Sequence, residues 1–255
     1  MFGRFCRVAK HPLHGCLVFI SLMTTPAFAA GPQLAIIIDD LGHRPVEGHR
    51  AVALPGTVAV AVLPHTPHGE KLARAAHAAG KEVLLHLPLE PVDEECLMGP
   101  GSLWLDMTRE EFSRTLQENL DAVPYAVGVN NHMGSLLTRH PGHMGWLMGA
   151  LSDQDLFFVD SYTTNASVAL ATADEHGVSA VQRDIFLDRN SDIEAIRAQL
   201  ATALERARRT GSVLIIGHPY PETLGVLETA LPELEAQGFE LVTVAGLIEH
   251  RRGSK

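Results

Sequence analysis

The chain has 255 residues, 46% hydrophobic and 20% charged, with 20 basic against 30 acidic residues for a formal net charge of −10 at pH 7. That is enough apolar material for one domain-sized core. The acidic balance argues against nucleic acid or anionic lipid as partners and fits a neutral or cationic substrate better.

The first 29 residues read as a segment apart. Arg4, Arg7 and Lys10 form a basic start, Cys16 to Met23 an apolar stretch, and Ala27-Phe28-Ala29 a cleavage site of the A-x-A type. The apolar stretch is far shorter than the roughly 20 residues needed to span a bilayer. It is therefore expected to be a cleaved signal peptide, leaving a mature domain from residue 30 to 255 that is periplasmic or secreted, without stable membrane insertion. Leu13-His14-Gly15-Cys16 resembles a lipoprotein site only superficially, because it precedes the apolar stretch. Loss of the leader removes Cys6 and Cys16 and leaves Cys96 alone, so the mature domain would rest on its core with no internal disulfide.

The first predicted strand is Leu34-Ala35-Ile36-Ile37-Ile38, an unbroken apolar run of the kind covered on both faces. It ends in Asp39-Asp40, followed by Leu41-Gly42. A helix cap needs one carboxylate; two side by side at a rigid strand end call for a cation or a shared proton. Strand alternation sends the two side chains in different directions, so one would bind metal and the other lie close enough to act as base.

Further apolar runs follow near 57–63, 82–87, 125–130, 156–160, 178–182, 213–217 and 239–244, and helical spacing separates several of them, as at Glu70 to Ala79, Thr108 to Leu120 and Asp192 to Arg209. Thr108-Arg109-Glu110-Glu111 is a capping box, and Ser191 is placed to cap the later helix. Alternation of this kind means βα units around a parallel sheet. Seven or eight of them favour a single-domain, irregular (β/α) barrel over the alternative, an open doubly wound sheet. The connection from Pro88 to Met107 is long enough to be functional or poorly ordered, and it leaves directly after His86, where it would wall one side of a site. The tail from His250 to Lys255 is expected to fray.

Three runs end in histidine: Val83-Leu84-Leu85-His86, Val127-Gly128-Val129-Asn130-Asn131-His132, and Val213-Leu214-Ile215-Ile216-Gly217-His218. In a barrel these ends converge on one face with Asp39 and Asp40, and the constellation reads as a mononuclear metal hydrolase site. A histidine after an apolar strand is often just a core residue, but His86 has Glu90 four residues on, a combination suited to zinc. The polar cluster Asn130-Asn131-His132-Met133-Gly134-Ser135 is hard to explain as packing. His218 is a natural proton carrier near neutral pH, although the same segment also opens a helix at Pro221. Asp160, closing the run from Leu156, is expected to orient a histidine or the base. Spacing does not decide whether Arg183-Asp184 and Asp188 form a buried ion pair or touch substrate. His140-Pro141-Gly142-His143 reads as a helix start more than a ligand pair, and His65-Thr66-Pro67-His68 as a source of groove contacts. There is no Gly-x-Ser-x-Gly, Walker, Gly-x-Gly-x-x-Gly or Cys-x-x-Cys motif. Cys96, beside Glu94 and Glu95, is a poor nucleophile.

Together, Ile36-Ile37-Ile38-Asp39-Asp40-Leu41-Gly42, His86-Leu87-Pro88-Leu89-Glu90-Pro91, Asn131-His132-Met133-Gly134-Ser135 and Gly217-His218-Pro219 resemble the divergent polysaccharide deacetylase family, in order and across the mature chain. That family is similar to the wider carbohydrate deacetylase superfamily. The resemblance implies an irregular (β/α) barrel and a divalent metal, often zinc. It also implies Asp39 as base, Asp40 and His86 as metal ligands, and His218 as the acid that protonates the leaving amine. The superfamily's His-x-x-x-His pair has Glu90 in its second position here. We therefore read His132 as the missing imidazole, with Glu90 as an alternate ligand or a support, and Asn131, Asp160 and Arg183 as supporting or substrate-contacting residues. The expected reaction removes an N-acetyl group from an amino sugar of a cell-envelope glycan. One rival is a non-catalytic envelope protein that binds glycan around a structural metal; the intact Asp39, Asp40 and His218 set speaks against it. The other is a glycosidase, since carboxylate pairs also cleave glycosidic bonds, but the histidine-rich mouth argues against that.

Overall fold

The apolar runs become the strands of one parallel sheet, and the segments between them become helices on its outside. In the computed structural model, which describes residues 1–3, 31–93 and 98–253, the chain divides into residues 1–30 and a unit from Gly31 to Lys255. The proposed leader from Arg4 onward and Cys96 lie outside the described residues, and everything below concerns the second unit. Its strands are β1 (Gln33–Leu41), β2 (Ala59–Val62), β3 (Val83–Leu89), β4 (Ala126–Met133), β5 (Phe157–Asp160), β6 (Ala180–Gln182), β7 (Ile185–Phe186), β8 (Ser212–Gly217) and β9 (Glu240–Leu241). The helices are α1 (Pro45–Ala53), α2 (Gly69–Ala78), α3 (Arg109–Ala122), α4 (Pro141–Ser152), α5 (Ala169–Glu175), α6 (Ile193–Thr210), α7 (Pro221–Leu234) and α8 (Val244–Gly253). No helix of the described residues is long and apolar enough to cross a membrane.

The sheet runs β6-β5-β4-β3-β2-β1-β8-β7, with β9 added beside β1. This is the cyclic order of a singly wound barrel, without the reversal that defines a doubly wound sheet. The barrel is not fully closed. Among the described residues no ladder joins β6 to β7; the chain crosses the seam through Arg183, whose N–H donates to Asp160 O on one side, and Asp184, whose N–H donates to Leu214 O on the other. The apolar run at 178–182 predicts one strand and no separate β7, because a two-residue strand carries no periodicity.

Alternation sorts the strand side chains into two cores. Leu34, Ile36, Ile38, Val60, Val62 and Leu85 face the helices. Ala35, Ile37, Ala61, Leu84, Leu214 and Ile216 fill the barrel interior, and α8 plugs its lower end with Val244, Leu247 and Ile248. Glu82 caps that helix by accepting from Val244 N at 2.6 Å and Ala245 N at 3.2 Å.

Three local expectations need correction. The α6 cap is Asp192, not Ser191: its carboxylate, one residue nearer the helix, accepts from Glu194 N and Ala195 N. The tail does not fray at His250, because α8 continues to Gly253, with Arg251 paired to Asp184 and Arg252 donating to Ser179 Oγ. The run at 239–244 is only partly strand, since α8 begins at Val244. The capping box at Thr108 and Glu111 forms with both of its bonds.

Candidate active site

The inward parity of β1 continues from Ala35 and Ile37 to Asp39, which is 2% exposed. Asp40 would then face outward, but the β1–β2 register breaks between Ile38 and Leu41 and Asp40 takes φ +58°. The expected divergence of the two carboxylates is therefore overturned: both address the same imidazole. Asp39 Oδ2 lies 3.7 Å and Asp40 Oδ1 3.1 Å from His86 Nε2. An aspartate tolerates the left-handed region better than most residues, which makes this turn cheap at this position.

His86 and His132 reach the same point from β3 and β4. Asp40 Oδ1 is 3.0 Å from His132 Nδ1, and the two histidine nitrogens are 3.1 Å apart. Asp40 Oδ1 is buried yet accepts no hydrogen bond of acceptable geometry. This triangle of one carboxylate and two imidazole donors is the one candidate metal set among the described residues. Tetrahedral zinc with bonds of about 2.0–2.1 Å sets its ligands about 3.3–3.4 Å apart, so the three atoms need only a slight spread to fit. An N, N, O donor set whose oxygen is buried and orphaned suits such an ion.

Asn130 organises the inner side. It lies opposite His86 in the β3–β4 register, fully buried, and its Nδ2 donates to Asp39 Oδ1 at 2.7 Å. Its Oδ1 must then be the acceptor of the 2.9 Å bond to His86 Nδ1, which puts the proton on Nδ1 and leaves Nε2 free to face the triangle. The sequence marks the whole polar cluster as functional, and the family motif draws attention to Asn131 within it. Period-two alternation from His132 picks Asn130 instead, which shares its face.

His218 closes the opposite side. Its Nε2 lies 3.9 Å from Asp40 Oδ2, and its Nδ1 bonds Asp188 Oδ1 at 2.8 Å. The other oxygen of Asp188 accepts from His218 N at 2.6 Å and Thr223 Oγ1 at 2.8 Å. Burial disfavours the imidazolium, but Asp188 and then Asp39 outweigh it and lift His218 from 6.5 to about 9. Burial raises the Asp39 carboxyl above its ordinary range against the pull of His86 and His218. Burial also acts on Asp40, but His132 and His86 prevail and hold it well below the usual carboxylate range. The site thus presents a carboxylate raised toward base strength, a strongly anionic carboxylate in the triangle and a protonated imidazole.

The remaining residues flagged in the sequence stand elsewhere. Glu90 Oε2 accepts from Leu105 N at 2.6 Å and so pins the long connection after β3; it is not part of the triangle. Gly99 and Pro100 of that connection do wall the cavity of about 320 Å³ that opens at Asp40 and His132. Asp160 accepts from Tyr162 N and Ser167 Oγ, not from a histidine, because it lies on the outer parity of β5 beside Phe158. Asn131 accepts from Ser161 N at 2.8 Å, and Arg183 donates to Ser161 O and Tyr162 O. The ion pairs of Asp184 run to Arg206 and Arg251, not to Arg183. His140 occupies the N-cap position of α4 without a side-chain cap bond, with Pro141 in the first turn, and His65 bonds Asn119 at 2.9 Å.

Residues 36–248 match the model of a family described as divergent polysaccharide deacetylase. An uncharacterised protein of Escherichia coli, YibQ, is 40% identical over 212 residues, which cover 83% of this chain and 66% of that protein; the chain thus spans just under two thirds of that relative's length. An uncharacterised protein of Haemophilus influenzae is 35% identical over 238 residues, 93% of this chain and 84% of that one. The crystal structure of the uncharacterised protein ATU2773 from Agrobacterium tumefaciens shares the fold with a TM-score of 0.82 at 22% identity, covering 87% of this chain and 91% of that one.

Proposed function

The chain belongs to the divergent polysaccharide deacetylase family, and from that premise we propose a metal-dependent hydrolase that removes N-acetyl groups from an amino sugar of a cell-envelope polysaccharide, in the periplasm or outside the cell. What carries the reading is the meeting of three donor atoms within 3.1 Å, with a buried carboxylate on one side and a paired imidazole on the other.

Asp40, His86 and His132 would hold the ion, and zinc suits their donor set. A bound divalent ion would polarise the amide carbonyl and lower the pKa of a water toward about 7. Asp39 would accept a proton from the attacking water as the water's oxygen bonds the carbonyl carbon, and the raised carboxyl makes Asp39 a better base than an exposed aspartate. As the C–N bond breaks, His218 gives its Nε2 proton to the departing nitrogen. Asp188 holds the ring by Nδ1, so the proton to be delivered sits on the nitrogen that faces the site. The products are acetate and an amine that takes up a further proton as it leaves.

The test is metal analysis of the purified protein together with acetate release from a panel of N-acetylated glycans. Asp39→Asn and His218→Ala should each keep one metal per chain and lose about 10²- to 10⁴-fold in turnover. Their combined loss should be smaller than the product of the single losses. Stoichiometric metal without acetate release from any glycan would favour the glycan-binding alternative. Unchanged turnover in both variants refutes the mechanism.

A further inference from the structure

The chemistry above leaves three buried polar side chains unused, and all three converge on one strained turn. Ser161 N donates to Asn131 Oδ1 at 2.8 Å and Tyr162 N to Asp160 Oδ1 at 2.8 Å. Arg183 donates through Nε to Ser161 O at 2.7 Å and through Nη2 to Tyr162 O at 3.0 Å. Together they hold Tyr162 at φ +51°, a left-handed conformation that a bulky side chain keeps only under constraint. Strain over-determined in this way clusters at functional sites.

The turn forms one wall of an open cleft of about 410 Å³; Phe186, Arg189 and His218 form the other. The cleft therefore straddles the seam between β6 and β7 and has the proposed catalytic acid in its lining. Tyr162 and Phe186 supply aromatic surface, and His218 stacks 5.8 Å from the Phe186 ring. Arg183 spends its guanidinium on the two carbonyls and on the Phe186 ring, 3.8 Å away. Arg189 is exposed and lies 5.9 Å from the same ring; no carboxylate pairs with it among the described residues. In a chain with 30 acidic residues against 20 basic ones, a guanidinium left open beside the acid is placed for an anion that arrives with the substrate.

We propose that this cleft is a subsite for a carboxylate-bearing sugar unit next to the acetylated one. Tyr162 and Phe186 pack on its ring and Arg189 pairs with its carboxylate. The proposal rests on the deacetylase reading and names the substrate class for it, an anionic N-acetylated glycan, which the net charge of the whole chain conceals.

The test compares a hyaluronan-derived hexasaccharide, which alternates N-acetylglucosamine with glucuronate, with the neutral chitin hexasaccharide. Both are measured for equilibrium binding and for acetate release on the metal-loaded protein. The anionic probe should bind about tenfold more tightly, as expected for a hydrogen-bonded charge pair, and the advantage should shrink with rising salt. Arg189→Gln should abolish the advantage and Arg189→Lys restore part of it. Tyr162→Asn, which tolerates the left-handed backbone, should weaken both probes. Equal binding of the two by the wild type, binding of neither, or an advantage that survives Arg189→Gln overturns the subsite. A binding advantage that Arg189→Gln removes, with acetate released from neither probe, upholds the subsite and counts against the deacetylase reading instead.

Discussion

Replacing Asp188 with Asn tests the acid half of the site through one charge. Asp188 is 6% exposed and accepts three hydrogen bonds, two of them from His218. The rise of His218 from 6.5 to about 9 corresponds to about 3 kcal/mol in favour of the imidazolium. Asp188 is the leading source of that rise, ahead of Asp39. A carboxamide removes the charge and can turn an N–H toward Nδ1, so His218 should fall back toward its ordinary value. At pH 7.5 the imidazolium share then drops from nearly all to roughly one tenth. Acetate release measured as kcat/KM should fall about tenfold there, change little near pH 5.5, and show its basic limb moved down by about two pH units. Stability follows the same sign: a group raised on folding stabilises fully below about 6.5, and that contribution is lost as pH rises through about 9. The Tm deficit of Asp188→Asn should therefore be larger at pH 6 than at pH 9.5. The assay is an NMR titration of the histidine Cε1–H signals on metal-free protein, repeated with metal bound. A divalent ion offsets Asp39 and Asp40 but leaves Asp188, which faces the other ring nitrogen. His218 titrating within half a pH unit of wild type in Asp188→Asn would refute this reasoning.

Other substitutions probe the remaining parts. His132→Ala should abolish stoichiometric metal while the far-UV circular dichroism persists, whereas Glu90→Ala should retain it; the reverse pattern would make Glu90 the third ligand. Asn130→Ala should weaken metal binding about 10- to 100-fold in a competition titration, because it frees the His86 ring. Thr108→Ala removes the α3 cap and should cost about 1 kcal/mol in urea unfolding without touching metal affinity. Intact-mass analysis of the exported protein should place its first residue at Ala30 or Gly31; retention of residues 1–29 would refute the cleaved leader.

Much of this site can be read from parity alone. Ala35, Ile37 and Asp39 share a face, as do Leu84 and His86, Asn130 and His132, and Leu214, Ile216 and His218. Apolar runs that end in polar residues of inward parity therefore announce the convergent groups in the amino-acid order itself. The same rule puts Asn131 and Asp160 on the outer face, where they serve the loops. What alternation cannot give is a break in itself: the irregularity at Asp39-Asp40 depends on a single left-handed residue. Nor does it locate Asp188, which follows a strand of two residues, too short to show a period, and whose partner lies 30 positions away. The Asp184 ion pairs escape it for a similar reason, since they join the β6–β7 crossing to the ends of α6 and α8.

Among the described residues no ladder joins β6 to β7, which divides the barrel into a part whose spacing is fixed by strand register and a seam where it is not. Asp40, His86, His132 and His218 all hang from the unbroken run of strands from β4 through β1 to β8, where register fixes spacing to within a hydrogen bond. Tyr162 and Arg189 stand on opposite banks of the gap, tied across it chiefly by the Arg183 side chain and the two-residue crossing. Register therefore fixes the distances among Asp40, His86, His132 and His218, whereas no ladder register fixes the width of the gap. On the deacetylase reading, the width of the glycan cleft and the alignment of the proposed catalytic groups are therefore set by different parts of one small barrel, with Arg183 as the clasp across the seam.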